Sequence, residues 1–298
     1  MLNNEVFIKT IRKFFLKEGF KETATPAVVE SPLPEPHINA VKAPGEGYFI
    51  TSPEIFLKIV LAENPGDIFE IAACRRSDES GRLHKECFTM LEWYKVNEVY
   101  TGLIEFISRF LLFMSETLSG SSKITYQNQE IDFSLPPYTV TVEKAFDEYA
   151  SLSMREAMEK GVFEEILVTE IEPSLPKNIP VIMMDYPAEF AALSKLKKDK
   201  PYLCERWELY IAGIEIANTY TELTSCSEHS ERFAKFAEER AAGGMPEYFV
   251  IDEFKKALER GLPESAGCAL GVDRLFMIFA DLPYIPQFDL LQKGEEGI

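Results

Sequence analysis

Phe88-Thr89-Met90-Leu91-Glu92-Trp93-Tyr94-Lys95-Val96 is the stretch on which the fold turns. Aromatic and apolar residues dominate it, and strand alternation places Phe88, Met90, Glu92, Tyr94 and Val96 on one face. An aromatic ring, a carboxylate and a phenol sharing a face can stack a base and grip an ammonium. An ordinary half-buried strand with a satisfied glutamate is the plainer reading of the same residues. Upstream, Ile68 to Ala73 is a second strand-like run, joined to the first through a polar loop that contains Gly81. Trp207 to Leu223 reads as two further strands turning near Gly213. Val181 to Met184 is another, and Gly267 to Gly271 is extended before a helix over Val272 to Ala280.

Helices are expected between these strands, at Asn3 to Gly19, from Ser52-Pro53-Glu54 onward, at Val99 to Leu118, Ser227 to Ala242 and Asp252 to Arg260. Strands that come as hairpins with long helices between them predict an α+β fold, an antiparallel sheet flanked by helices. Regular βα alternation and a glycine fingerprint, which a dinucleotide-binding fold needs, are missing. The chain reads as one domain over residues 1–298, with a peripheral insertion at about 123–180 that carries short helices near Val142 to Tyr149 and Ser153 to Glu159.

Composition narrows the function. Charges at Glu105, Arg109 and Glu116 inside the long apolar run from Val99 would be costly in a bilayer, so a buried helix is expected there and no membrane span. The opening MLNNEVFIKTIRKFF reads as an amphipathic first helix with no cleavage site. Five scattered cysteines without a CxxC pair, and three unclustered histidines, argue against a disulfide framework or structural zinc and for a reducing cytoplasm. A net charge of −18 repels a phosphate polymer, which makes tRNA an unlikely principal partner but leaves ATP open.

Two further stretches carry chemistry. Cys74-Arg75-Arg76-Ser77-Asp78-Glu79-Ser80-Gly81-Arg82-Leu83-His84 sets arginines and a histidine around a glycine, which suits a polyphosphate, although a solvated charged loop has the same composition. In Gly267-Cys268-Ala269-Leu270-Gly271-Val272-Asp273-Arg274-Leu275, small residues admit a close approach to the backbone. There Arg274 stands in the first turn of a helix, against the dipole, unless an anion or Asp273 offsets it.

Taken together and in this order, the segments resemble the signature motifs of class II aminoacyl-tRNA synthetases. The extended segment around Pro26 corresponds to motif 1, Arg76 to Tyr94 to motif 2, and GCALGVDRL to motif 3. TSPE at Thr51, FTMLEWY at Phe88, DYP at Asp185 and ERWELYIAGIEIANTYTEL at Glu205 resemble the lysyl branch. More narrowly, they resemble the stand-alone ligases of that branch, which attach (R)-β-lysine to elongation factor P and lack an anticodon-binding barrel; this chain likewise begins almost at motif 1.

The resemblance implies ATP and Mg²⁺ as cofactors, a lysine-like amino acid as substrate, elongation factor P as acceptor protein, and a homodimer built on motif 1. It implies catalytic roles for Arg76 at the α-phosphate and Arg274 at the γ-phosphate. His84 lies near the phosphate tail, Phe88 stacks on adenine, and Asp78 stands where the family has glutamate. Glu208 and Glu215 match the magnesium ligands; strict alternation puts them on opposite faces, so a turn or bulge near Gly213 is expected. Glu92, Tyr94 and Glu222 match the site of the distal ammonium, Glu54 that of the other amino group, and Asn218 orients the carboxylate. Ala269 replaces the glycine of tRNA-charging lysyl enzymes, and one methyl in a pocket shifts discrimination by about 1–3 kcal/mol. Cys87 and Arg75 depart from the motif, where the family has glutamate and phenylalanine. Aminoacyl transfer to tRNA or a carrier protein, and a silent binding paralogue, are the competing readings.

Overall fold

A computed structural model describes residues 2–286. Helix α1 spans Asn4–Lys17, and the side chain of Asn3 caps it by accepting from the amides of Glu5 and Val6. Short strands β1 (Lys21–Glu22), β2 (Val28–Val29) and β3 (Tyr48–Phe49) follow, then α2 (Glu54–Glu63), which begins directly after Pro53. The hairpin expected from the sequence is β4 (Ile68–Arg75) with β5 (Cys87–Val96), and α3 (Gly102–Ser119) packs beneath it.

Next come β6 (Lys123–Tyr126), β7 (Gln129–Asp132), β8 (Tyr138–Thr141), α4 (Val142–Tyr149), α5 (Met154–Lys160), α6 (Phe163–Ile166) and α7 (Glu172–Ser174). The chain continues through β9 (Val181–Met184), β10 (Arg206–Ile211), β11 (Ile214–Thr221), α8 (Cys226–Ala242), α9 (Asp252–Arg260), β12 (Ser265–Gly271) and α10 (Val272–Phe279).

Eight strands form one sheet in the order β1-β4-β5-β12-β11-β10-β9-β8, antiparallel except at the two edge pairs. One face carries Phe69, Leu91, Trp93, Cys268 and Trp207 into a core shared with Phe7, Phe14 and Phe15 of α1, Phe106 and Phe110 of α3, and Leu275 and Phe276 of α10. Within the segment 123–180, Ile124, Tyr126 and Ile131 belong to this same core, β8 supplies the sheet's edge, and the helices pack on β9 through Val142, Phe146 and Ile171. No helix among the described residues is long and apolar enough to cross a membrane.

Alternation then fixes what the other face presents. Residues paired across the ladder share a face, so Glu92, Ala269, Asn218 and Glu208 form one row over four strands, and Tyr94, Gly267, Tyr220 and Arg206 the next. The β10–β11 hairpin turns through Ala212 and Gly213, both at positive φ (52° and 76°), and its register then slips so that Leu209 faces Ala217 while Tyr210 faces Glu215. This bulge at Ile216 brings Glu215 onto the face of Glu208, as the sequence required.

Candidate active site

The second face of the sheet floors a cavity of about 490 Å³, walled by α2, the loop before it and α8. Arg76, His84, Phe88, Glu54, Glu92, Tyr94, Glu215, Asn218, Glu222, Ala269 and Arg274 all line it. Two expected residues do not. Asp78 is exposed, in left-handed backbone (φ 65°), and accepts from the Ser77 hydroxyl at 3.0 Å, while its neighbour Glu79 lines the cavity 3.6 Å from Arg76 Nη1. Glu208 is enclosed behind the wall: Arg206 Nη2 donates to its Oε1 at 2.5 Å, and the hydroxyls of Tyr186 and Tyr210 donate to its Oε2 at 2.6 Å each.

The two ends of β12 carry different chemistry. Near Gly271, Arg274 donates to the carbonyl of Glu215 at 2.9 Å and lies 3.3 Å from its Oε2. Its Nη2 also donates to His84 Nε2 at 2.7 Å. A guanidinium can only donate, so Nε2 accepts and the His84 proton sits on Nδ1. Burial first, and Arg274 second, lower the pKa of His84 and keep the ring neutral. Asp273 is buried, accepts from the Thr89 amide at 2.5 Å and pairs with Lys85 at 2.9 Å. Arg76 adds a second guanidinium, 5.1 Å from the Phe88 ring centroid. Arg75, at the departure from the motif, stacks 4.4 Å from the Phe49 ring.

Near Gly267, four residues back and ~13 Å away at the strand's rise, the cavity is acidic. Glu92 and Glu222 are 3 % and 1 % exposed. Tyr94 Oη donates to Glu92 Oε1 at 2.6 Å, whereas Glu92 Oε2 and Glu222 Oε1 are buried without a hydrogen-bond partner among the described residues. Burial, together with the charge of Glu54, raises the Glu92 carboxyl well above the usual range. Burial likewise lifts Glu222 to about 7, against the pull of Lys58. Arg206 Nε donates to Asn218 Oδ1 at 2.9 Å, so what Asn218 has left to offer a ligand is its amide nitrogen.

Several contributors were not singled out from the sequence. Lys58, on the same helix as Glu54, is 1 % exposed and pairs with Glu54 and Glu222; its i,i+4 spacing from Glu54 was the available signal. Glu35 reaches the cavity from the proline-rich loop, and burial with the nearby Glu54 raises it to about 7. That loop is held by Arg240 of α8, whose Nη1 donates to the carbonyls of Glu35 and Ile38 at 2.7 and 2.8 Å. No local signal marks either residue.

Comparison with known proteins agrees with this geometry. Residues 1–291 match the family described as tRNA synthetases class II (D, K and N). Among curated proteins, the chain is 31 % identical to the elongation factor P–(R)-β-lysine ligase of Proteus mirabilis, over 93 % of this chain and 90 % of that one. The proteins of the same name from Hamiltonella defensa and Histophilus somni are each 32 % identical, again over 93 % of this chain and 90 % of theirs. The match over residues 1–291, together with relatives at 31–32 % identity along nearly the whole chain, shows that the chain belongs to the class II tRNA synthetase family.

Proposed function

We propose that the chain activates (R)-β-lysine with ATP as the aminoacyl-adenylate and transfers it to a lysine side chain of elongation factor P. The observation that carries this reading is that two buried carboxylate oxygens beside the Tyr94 phenol, Glu92 Oε2 and Glu222 Oε1, have no hydrogen-bond partner among the described residues. Buried acceptors left unmade are costly, and an alkylammonium supplies the missing donors. The relatives' printed name supplies the substrate and acceptor.

In this reading the distal ammonium sits between Glu92, Tyr94 and Glu222, and Glu54 faces the second amino group. The amide nitrogen of Asn218 donates to the substrate carboxylate, and the methyl of Ala269 lies between Asn218 and Glu92 in the same row. ATP lies toward Gly271, its adenine against Phe88, with Arg76 at the α-phosphate, Arg274 at the γ-phosphate and His84 beside the tail; Glu79 stands closer to this site than Asp78. A carboxylate oxygen of the amino acid attacks the α-phosphorus, the bond to the bridging oxygen breaks, and pyrophosphate leaves. The lysine amine of the acceptor then attacks the acyl carbon, expels AMP and loses a proton. Catalysis comes from positioning and charge neutralisation, with no enzyme nucleophile.

Mg²⁺ fits the cavity's edge. Burial and the neighbouring Glu208 raise Glu215, and burial with Glu208 and Glu215 raises Glu172 to about 7, so carboxylates crowd there with too few cations. No group of three metal-ligating side chains among the described residues forms a cage, which suits an ion shared with substrate phosphates. Glu215 would hold it, with Glu208 behind, and it would neutralise phosphate charge. Five cysteines without a disulfide fit a cytoplasmic location, and motif 1 supports a homodimer.

Incubation with ATP, (R)-β-lysine and elongation factor P, followed by intact-mass measurement, tests the reading. One added β-lysyl group on the acceptor is expected. No adduct, together with no pyrophosphate exchange driven by any lysine-like amino acid, sinks it.

A further inference from the structure

Lys58 stands in the acidic end of the cavity as a cation that belongs to the protein. It is 1 % exposed, with Nζ 2.5 Å from Glu54 Oε1 and 2.7 Å from Glu222 Oε2, and lies 6.0 Å from the Tyr94 ring centroid. Burial on its own lowers an ammonium's pKa, but Glu222 and Glu54 outweigh it and the net direction is upward, so Lys58 stays charged. One oxygen of each glutamate is thereby occupied. Lys58 Nζ lies against Glu222 Oε2; Glu222 Oε1, on the other side of the carboxylate, has neither that ion pair nor a hydrogen-bond partner among the described residues.

We propose that Lys58 is a positioning residue for amino-acid recognition, a resident ammonium that fills the space between Glu54 and Glu222 and leaves one oxygen of Glu222 for the ligand. The ligand's distal ammonium is then confined to the side of Glu92 and Tyr94. Without Lys58, the two glutamates lose their shared counter-ion, and an incoming ammonium settles between them and draws the substrate out of register with Asn218. The inference rests on the reading of this end of the cavity as an ammonium site.

The test uses Lys58→Ala, with propylammonium as a replacement for the deleted side chain and 1-propanol as a neutral control. The KM for (R)-β-lysine in pyrophosphate exchange is expected to rise at least about tenfold and kcat to fall at least about tenfold, because a carboxylate out of register with Asn218 is badly placed for attack. Propylammonium lowers that KM in the variant but raises it in the wild type, where it competes with substrate; 1-propanol does neither. Propylammonium also raises the melting temperature of the variant more than that of the wild type. A folded variant with wild-type KM overturns the proposal, and so does a propylammonium melting shift no larger than the wild type's. Should Lys58→Ala not fold, Lys58→Gln carries the test: the same rise in KM is expected, and an unchanged KM overturns the proposal. If the wild type exchanges pyrophosphate with no diamino acid, the proposed activity falls, while the melting comparison still decides the role of Lys58.

Discussion

The Glu222 carboxylate rests directly over the α-carbon of Gly267, where an added methyl would sit 2.3 Å from Glu222 Oε1 and 2.5 Å from Tyr94 Cε1. Glycine is therefore needed here for space, since its backbone is ordinary strand. Gly267→Ala is expected to displace Glu222 and raise the KM for the amino acid by about a hundredfold, the loss of a buried charged contact. ATP affinity, set near Gly271, should stay within about twofold. Exchange kinetics and calorimetric titration with ATP check this; an unchanged amino-acid KM would remove Glu222 from the ammonium site.

Ala269 pairs with Glu92 on one side and Asn218 on the other, so its methyl lies between the groups assigned to the two ends of the amino acid. Ala269→Gly opens that space and is expected to move preference from (R)-β-lysine toward α-lysine by about tenfold to a hundredfold in kcat/KM, the range one methyl commands. Parallel exchange assays with both amino acids measure the ratio. An unaltered ratio assigns the discrimination to another residue.

Much of this site was readable because strand periodicity is strict. Once Phe88 to Val96 is a strand, Glu92 and Tyr94 must share a face, and the bulge that aligns Glu215 with Glu208 follows from needing both on one side. What stayed hidden depends on elements far apart in sequence. Lys58 lies on an apolar helix, where a lone lysine ordinarily reaches solvent, and only the end of β11 supplies its second carboxylate. Glu208 is enclosed by Tyr186, 22 residues earlier in the connection between β9 and β10, and by Arg206 and Tyr210 of its own strand face. Asp78 was matched to the family's glutamate by resemblance alone, and the left-handed backbone that leaves it exposed while Glu79 lines the cavity has no marker in the sequence.

Glu35 gives a pH signature. Its folded-state pKa is raised to about 7 by burial and by Glu54, against Arg76, Lys58 and Arg206. A carboxyl raised above its unfolded value contributes stability that is fully present below the unfolded pKa and lost as pH rises through the folded one. Glu35→Gln cannot ionise, so the variant is expected to melt higher than the wild type at about pH 8, with the difference narrowing as pH falls and closing only toward about pH 4, below the unfolded value. Calorimetric melts across that range decide it; a variant that melts lower at every pH contradicts the assignment.

Glu222 adds the opposite trend in activity. Its carboxyl, raised to about 7, must be ionised to hold an ammonium, so kcat/KM for the amino acid is expected to fall as pH drops below about 7 while the KM for ATP holds steady. Pyrophosphate exchange at graded pH measures both, and a flat amino-acid profile counts against Glu222 as the ammonium's partner.

Arg274 separates binding from catalysis at the other end of β12. It ties the motif 2 loop, through the Leu83 carbonyl at 3.1 Å and His84, to Glu215 on β11, so its guanidinium is held in place before any phosphate arrives. A donor organised in advance toward developing charge contributes most in the transition state, and Arg274→Ala is expected to cut exchange by at least about a hundredfold. Because the alanine variant also frees the loop, Arg274→Lys is the sharper comparison. Lysine keeps the charge but cannot span Leu83, His84 and Glu215 at once, and kcat should fall by more than the KM for ATP rises. Equal changes in both would make Arg274 a ground-state phosphate contact only, and wild-type exchange in the alanine variant would show that motif 3 does not act on ATP here.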